Sequence, residues 1–284
     1  MNNVMACVDA QGNPAAVCDG AIWAAKALSA SLTFLHVLDR HQEKAPQADL
    51  TGQIGLGAQE NLLSELAELD ARRSTLAQEQ GRQILEGARQ RATSSGLNDV
   101  HIRQRHGELV ESVAELEGEH ALIVMGKHDH PAWVGRHLDH HVERVIRAVK
   151  RPVLVMADGH FETPGSFVLA YDGSDASRKL LDQVGHNNLL KGLMCRLVHV
   201  GDVNAAMQEE LGRAAEQIRA HGLHVETALI PGDVEHALAD YVAEKQSGLL
   251  VMGAYGHSRV RRLVVGSTTT TLLRTSKVPV LVLR

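Results

Sequence analysis

The apolar run VLAYDG at Val168–Gly173 ends in an aspartate and a glycine, and it decides the fold because the chain contains it twice. The matching run is MACVDA at Met5–Ala10, which lies 163 residues earlier. FLHVLD at Phe34–Asp39 and LVHVGD at Leu197–Asp202 match each other at the same offset of 163. Repetition of this kind indicates that one structural unit has been duplicated.

The repeat continues to the end of the chain at a smaller offset. Three further pairs match at offsets of 125, 127 and 127 residues: Gly107-Glu108 with Gly232-Asp233, Val124–Gly126 with Val251–Gly253, and Arg151–Val155 with Val278–Val282. Because the offset falls from 163 to 125, the N-terminal half carries about 38 residues that the C-terminal half lacks.

Short apolar runs alternate with helix-like stretches in both halves. Near-continuous apolar runs are typical of parallel strands buried on both faces, and the alternation predicts right-handed βαβ units. The predicted fold class is therefore α/β, with two tandem doubly wound domains that each contain a five-stranded parallel sheet. The predicted strands lie at Val4–Val8, Leu32–Leu38, Val100–Arg105, Ala121–Met125 and Val153–Met156, then at Phe167–Tyr171, His224–Ile230, Leu249–Met252 and Val278–Leu283. The second strand of the C-terminal half is expected to end just before Val200-Gly201.

The domains are predicted at residues 1–157 and 165–284. The linker between them is predicted at Ala157–Gly165, where Gly159, Pro164 and Gly165 disfavour regular structure.

The additional residues of the first domain fall at about 41–96. His41–Gln59 is rich in Gln, Gly and Ala and is predicted to be a loop, whereas Glu60–Ser95 has a helical composition. One straight helix of that length would extend about 54 Å, so we expect a break near Asp70–Ser74 or at Gly81.

Composition excludes several classes of protein. A net charge of -5 and 3% aromatic residues argue against a nucleic-acid-binding protein. The longest stretch without a charged residue, Gln246–Ser258, is shorter than the roughly 20 residues that span a bilayer, and no signal peptide is expected. Cys7, Cys18 and Cys195 form neither a CxxC pair nor a disulfide framework. We therefore expect a cytosolic protein without a membrane partner.

Ligands of open α/β sheets bind beyond the carboxyl ends of the strands. In the C-terminal half, the segment Gly253–Thr269 follows such a strand with the spacing Gly-x2-Gly-x9-Gly-Ser-Thr. Its glycines allow a ligand to approach the backbone closely, and the final Gly-Ser-Thr opens a helix whose free N–H groups favour phosphate. Three cations lie in the same segment, Arg259, Arg261 and Arg262, and Asp172 could accept hydrogen bonds from a ribose or base.

This spacing, together with the aspartate that ends the first strand, resembles the ATP-binding pattern of the universal stress protein family. The resemblance covers the chain as two tandem family domains with an adenine nucleotide alpha hydrolase-like fold. It implies a nucleotide pocket in the second domain, in which Asp172 contacts the ribose and adenine and Val200 lines the adenine. It also implies that the sugar and phosphates are held by Met252, Gly253, Gly256, Gly266, Ser267 and Thr268.

The resemblance further implies a stress-response regulator that binds ATP, ADP or AMP, with Mg²⁺ as an accompanying cation. Family domains pair through their last strands, so Pro152–Met156 and Pro279–Leu283 are expected to face each other within one chain. Such pairing would shield two apolar edges. A homodimer and an unidentified protein partner are both compatible with the sequence.

The N-terminal half departs from the nucleotide pattern. Gly126 matches Gly253, but Asp129 stands at the position of Gly256, and Asp139-His140-His141 stands at the position of Gly266-Ser267-Thr268. A carboxylate about 4 Å from a phosphate charge costs roughly 4 kcal/mol at an effective dielectric constant of 20. The first domain, although it keeps Asp9, is therefore not expected to bind ATP in the family manner.

Histidines raise two further hypotheses. Five of them could contribute to a metal site with Asp129 or Asp139, namely His128, His130, His137, His140 and His141. We favour solvated loop histidines and predict no metal, because a paired-cysteine or HExxH motif is absent from the sequence. His36 and His199 occupy equivalent strand ends, and we expect them to be structural, held by backbone hydrogen bonds.

The sequence favours a regulator over an enzyme, and no catalytic residue is predicted. It lacks a Gly-x4-Gly-Lys-[Ser/Thr] loop and a Gly-x-Ser-x-Gly elbow, so any ATP hydrolysis is expected to be slow. Two alternatives remain open. One is an ATP-hydrolysing or ATP-pyrophosphatase-like enzyme, to which Asp172–Ser177 has a faint likeness, and the other is a nucleotide-independent interaction scaffold.

Overall fold

The computed structural model describes residues 3–9, 13–38, 56–127, 140–254 and 267–284. Residues 41–55 of the predicted loop lie outside these ranges, whereas residues 56–59 lie within them. Residues 128–139 and 255–266, which follow the fourth strand of each half, also lie outside these ranges.

The N-terminal half alternates strands and helices. Its elements are β1 (Asn3–Cys7), α1 (Pro14–Leu28), β2 (Ser31–Leu38), α2 (Leu56–Ser94), β3 (Val100–His106), α3 (Leu109–Leu116), β4 (Leu122–Gly126), α4 (His140–Ala148) and β5 (Val153–Met156). A short 3-10 turn at Glu117–Glu119 follows α3.

The C-terminal half repeats the pattern without the long helix. Its elements are β6 (Ser166–Ala170), α5 (Asp175–His186), β7 (Met194–Val200), α6 (Ala205–Arg219), β8 (Val225–Ile230), α7 (Val234–Glu244), β9 (Leu249–Gly253), α8 (Ser267–Thr275) and β10 (Val280–Leu283). A 3-10 turn at Asn188–Leu190 follows α5.

The ten strands form one sheet in the order β3-β2-β1-β4-β5-β10-β9-β6-β7-β8. Neighbouring strands are parallel within each half, and the antiparallel pair is β5 with β10. The predicted α/β class with two parallel five-stranded units is confirmed. Among the described residues, no helix combines the length and apolar character that crossing a lipid bilayer requires.

Successive side chains of the inner strands enter two separate cores. Val4 and Ala6 pack on one face of the sheet, with α1, α2, α5 and α6, while Met5 and Cys7 pack on the other face, with α3, α4, α7 and α8. Because both faces are covered, the inner strands are apolar at nearly every position, as the sequence pattern predicted.

Helix starts are encoded locally by short polar side chains. Asn13 accepts a hydrogen bond from the backbone N–H of Ala16 at 3.1 Å, directly before Pro14. Ser174, Asn204 and Asp233 cap α5, α6 and α7 in the same way. These caps satisfy N–H groups that the helix itself leaves without partners.

The antiparallel junction joins the two halves. Val280 is in register with Val155, Leu281 with Leu154 and Val282 with Val153. The expected pairing of the two last strands is therefore present. The connection at residues 157–165 contains neither helix nor strand, and the domain boundaries on either side of it stay a prediction.

Each half also supplies a cation to the end of the other half's last helix. Lys127, directly after β4, is 6% exposed and donates from Nζ to the carbonyls of Ser276 at 2.7 Å and Arg274 at 3.4 Å, at the end of α8. Arg284, after β10, donates to the carbonyls of Arg147 and Val149 at the end of α4. Cations are favourable there because the last carbonyls of a helix lack intrahelical partners and carry partial negative charge.

The prediction of a broken helix at residues 60–95 is wrong. Helix α2 continues through 39 residues, about 58 Å at 1.5 Å per residue, and it begins within the segment predicted to be a loop. Ion pairs one turn apart support its exposed side, including Glu68 with Arg72 at 3.8 Å and Glu79 with Arg82 at 2.8 Å.

Gly81, one of the expected break points, is instead where α2 approaches the sheet. A Cβ at this position would lie 2.5 Å from Cδ2 and 2.9 Å from Nε2 of His36, and against the side-chain amide of Gln104. Gln104 also donates to the carbonyl of Gln78 at 3.1 Å. The missing side chain therefore permits helix–sheet contact rather than a kink.

We expect Gly81→Ala to destabilise the fold by about 1–3 kcal/mol, because the buried His36 ring must move. Gly87 lies on the same helix with open space around its Cα, so Gly87→Ala should instead stabilise by about 0.5–1 kcal/mol through helix propensity. Urea unfolding of both variants measures the difference. Equal effects of the two substitutions would contradict the close approach.

We expect Lys127→Met to lower the free energy of unfolding by about 1–3 kcal/mol, because it removes a buried cation that donates to the carbonyls of Arg274 and Ser276 at the end of α8. Lys191→Met, at an exposed lysine, is the matched control and should change stability by less than about 0.5 kcal/mol. Urea unfolding at neutral pH compares the two, and a Lys127 variant as stable as the control would refute the capping role.

Candidate functional site

The strand order places Asp172, Val200 and Gly253 at one edge of the sheet. Strand β6 pairs with β9 on one side and with β7 on the other, so the order of strands reverses between β6 and β9. Leu169 is in register with Val251, and Ala170 with Val198. Asp172 therefore follows its strand beside the ends of β7, at Val200, and β9, at Gly253. This edge is where open α/β sheets bind ligands.

Asp172 is half-buried in a tight turn between β6 and α5. Its Oδ1 accepts a hydrogen bond from the backbone N–H of Ser174 at 2.9 Å. Gly173 between them has φ of +74°, a conformation that favours glycine. The turn therefore orients the carboxylate at the carboxyl edge of the sheet.

A buried histidine holds the backbone just before this aspartate. His199 Nδ1 lies 2.9 Å from the carbonyl of Tyr171, and in the N-terminal half His36 Nδ1 lies 2.8 Å from the carbonyl of Val8. Because a carbonyl can only accept, Nδ1 is the donor in both cases. The prediction that these histidines are structural and bound to backbone is confirmed.

The remaining predicted residues fall partly outside the described ranges. Met252 is buried in β9, Gly253 ends that strand half-buried, and the backbone N–H of Ala254 donates to Leu283 at 2.9 Å. Helix α8 begins at Ser267, as the Gly-Ser-Thr pattern predicted, and Thr268 is half-buried in its first turn. Outside the described residues lie Gly256, Gly266, Arg259, Arg261 and Arg262.

Helix α8 begins on the side of the sheet where its preceding strand ends. The first four N–H groups of any helix lack intrahelical acceptors, and they carry the positive end of the helix dipole. A phosphate is a suitable acceptor for such groups. The described part of the site thus combines a carboxylate, half-buried strand ends and a helix N-terminus at one edge.

The corresponding edge of the N-terminal half keeps Asp9 after β1 and Gly126 at the end of β4. Asp129 and Asp139, which stand at the positions of Gly256 and Gly266, lie outside the described residues. So do His128, His130 and His137 of the histidine cluster. Within the part of the chain that is described, no three His, Cys, Asp or Glu side chains are grouped as a metal site.

Sequence reasoning missed a polar cluster beside the predicted site. The buried Tyr171 hydroxyl donates to Glu210 Oε1 at 2.9 Å, and Arg178 donates to the same oxygen at 3.0 Å. Arg213 donates to Glu210 Oε2 at 3.1 Å. These residues line an open cleft of about 410 Å³ between α5 and α6. The sequence feature that could have indicated this cluster is Tyr171 itself, because the equivalent residue of the N-terminal half is the apolar Val8.

The cluster shifts the ionisation of both acids. Burial, with the hydrogen bond to Glu210, raises the pKa of Tyr171 to about 12. Hydrogen bonds from Tyr171 and Arg178 lower the pKa of the Glu210 carboxyl. The pair is therefore a neutral phenol that donates to a carboxylate at neutral pH.

Because the pKa of Tyr171 is higher in the folded state than its ordinary value of 10, its contribution to stability is complete below pH 10 and is lost as the pH approaches 12. We expect wild type to be more stable than Tyr171→Phe at pH 8 by about 1 kcal/mol, and the difference to shrink at pH 11. Urea unfolding at both pH values measures it. A pH-independent difference would contradict the shifted pKa.

Comparison with known proteins agrees with this fold. The model of the universal stress protein family matches residues 1–157 and again 165–284, and the chain belongs to this family in a tandem form. Universal stress protein Slr1230 from Synechocystis is 33% identical over 288 residues, and the match covers 100% of both chains.

Solved structures are also similar. A universal stress protein from Archaeoglobus fulgidus is 18% identical, with a TM-score of 0.69, and the match covers 100% of this chain and 96% of that one. A universal stress protein solved in complex with cAMP is 25% identical, with a TM-score of 0.37, and the match covers 43% of this chain and 98% of that one.

Proposed function

We propose that this universal stress protein is a regulator that binds an adenine nucleotide, ATP in the first instance, in its C-terminal half. The observation that carries the proposal is the position of Asp172 beside the end of β9, at the point where the strand order reverses, with α8 beginning at Ser267 after the glycine-rich segment. This combination suits a ligand with a polar sugar and an anionic tail.

In the proposed pose each part of the nucleotide meets a chemically matched group. Asp172 accepts hydrogen bonds from the ribose and adenine region, and the backbone at Val200 lines the adenine. Met252, Gly253 and Gly256 surround the sugar and first phosphates, while Gly266, Ser267 and Thr268 hold the phosphate tail. ATP, ADP and AMP share these contacts, and Mg²⁺ accompanies the triphosphate as a counter-ion.

The proposal assigns the N-terminal half no nucleotide. Asp129 and Asp139 replace the two glycines nearest the phosphates, so ATP would meet carboxylates where the C-terminal half offers backbone N–H groups. Repulsion of roughly 4 kcal/mol per close carboxylate corresponds to about a thousandfold in affinity. The N-terminal half then contributes through its surface and its contacts with the other half.

The proposed role is binding with at most slow hydrolysis, in the cytosol. A P-loop lysine to polarise a γ-phosphate is absent from the sequence, which supports a regulator over an ATPase. The free, buried thiols of Cys7, Cys18 and Cys195 fit a reducing compartment.

Isothermal titration calorimetry with ATP tests the location of the site. We expect Gly266→Asp to weaken binding about a thousandfold, because it places a carboxylate at the phosphate position. Asp129→Gly in the N-terminal half should not create a second site.

The duplication supplies a matched pair of aspartates as a control. Asp172→Ala should weaken ATP binding at least about tenfold, whereas Asp9→Ala should leave the affinity unchanged, because only the C-terminal half has the phosphate pattern. Mass spectrometry of nucleotide released on denaturation identifies which adenine nucleotide the purified protein carries. Unchanged affinity in both Gly266→Asp and Asp172→Ala would refute the proposed pocket.

A further inference from the structure

The first part of α2 stands away from the core. From Gly81 onward the helix buries Leu85, Ala88 and Ala92 against the sheet. In residues 64–80, by contrast, every side chain is exposed or only half-buried. Leu69 is 48% exposed and Leu76 is 70% exposed, which makes them the most exposed leucines among the described residues.

Leucines in this segment follow a heptad spacing. Leu62, Leu69 and Leu76 are seven residues apart, and Leu66 lies four residues after the first of them. Alternating steps of four and three are the pattern of a coiled-coil seam, in which such positions pack between two helices. The next seam position is occupied by Arg73, which limits the apolar seam to a short segment.

Charges beside the seam favour an antiparallel partner of the same sequence. When Leu66 of one helix lies against Leu69 of a second molecule, Glu65 of the first faces Arg72 of the second molecule, and the reverse pair forms by symmetry. A parallel pair would place Glu65 near Asp70 of the second molecule, which is repulsive. The existing pair of Arg72 with Glu68 is long, at 3.8 Å, and exposed, so Arg72 can exchange partners at little cost.

We propose that α2 pairs antiparallel with the same helix of a second molecule, centred on Leu66 and Leu69, and makes the protein a homodimer. The dimer buries Leu66 and Leu69 at its centre, and Leu76 lies towards each end of the paired segment. Its interface is separate from the proposed nucleotide site, so the two proposals stand or fall independently.

Sedimentation velocity of the full chain over a range of concentrations tests the dimer. We expect wild type to dimerise and the double variant Leu69→Gln/Leu76→Gln to weaken dimerisation about a hundredfold. Glutamine has a helix propensity close to that of leucine, so the variant should retain the helical circular dichroism of wild type.

Val203→Gln is the matched control, because Val203 is 58% exposed on another surface, and it should dimerise like wild type. A wild type that stays monomeric throughout the concentration range would overturn the proposal. So would a dimer that the double variant leaves unchanged.

Cross-linking of single-cysteine additions tests the direction of pairing. In the antiparallel arrangement Leu69→Cys should react with its counterpart through a short bismaleimide. Leu76→Cys should not, because residue 76 lies about 26 Å along the helix from its counterpart. The native thiols are buried, and burial raises the pKa of each to about 12, so they should not compete. Cross-linking at both positions, or at neither, would overturn the antiparallel pairing.

Discussion

The hydrogen-bonding requirement of two edge strands organises the whole molecule. A parallel five-stranded unit ends in an apolar strand whose outer N–H and C=O groups have no partner within the unit. In this chain β5 and β10 satisfy each other as an antiparallel pair, through Val153–Val155 and Val280–Val282. The two halves consequently share one sheet of ten strands, and neither of these apolar edges faces water.

Antiparallel pairing also sets where each half can bind a ligand. The carboxyl ends of the strands in one half lie beside the amino ends of the strands in the other, so the two potential nucleotide edges face opposite ways. The same geometry brings Lys127 to the end of α8, whose first turn lies at the opposite, candidate phosphate edge. Each half thus stabilises the last helix of the other half.

The duplication has retained the contacts that shape the backbone. His36 and His199 make the same hydrogen bond to the residue before Asp9 and Asp172, because that turn needs the same support in both halves. Gly256 and Gly266 of the glycine-rich pattern are not retained, because Asp129 and Asp139 stand at their positions in the N-terminal half. This contrast is consistent with a ligand in one half and a purely structural role for the corresponding edge of the other.

Most of the fold could be predicted from the sequence, because burial on both faces of a parallel sheet leaves a continuous apolar pattern in each inner strand. The duplication, the parallel α/β class and the residues that follow β6, β7 and β9 were all accessible in this way. The unbroken course of α2 could not be predicted, because a glycine such as Gly81 is typical of a helix break. Its actual role is to let the helix approach His36, which is 45 residues away in the chain.

By itself, then, the sequence determined the alternation of elements, the two halves and the candidate nucleotide pattern, since each depends on local spacing or on direct repetition. Tertiary structure alone decided three features: the buried position of Lys127, the contact of Tyr171 with Glu210, and the exposed leucines of α2. Each feature depends on which distant segments of the chain the fold brings together or leaves uncovered. The periodicity of the sequence does not predict such contacts, because it reflects only residues that are near each other in the chain.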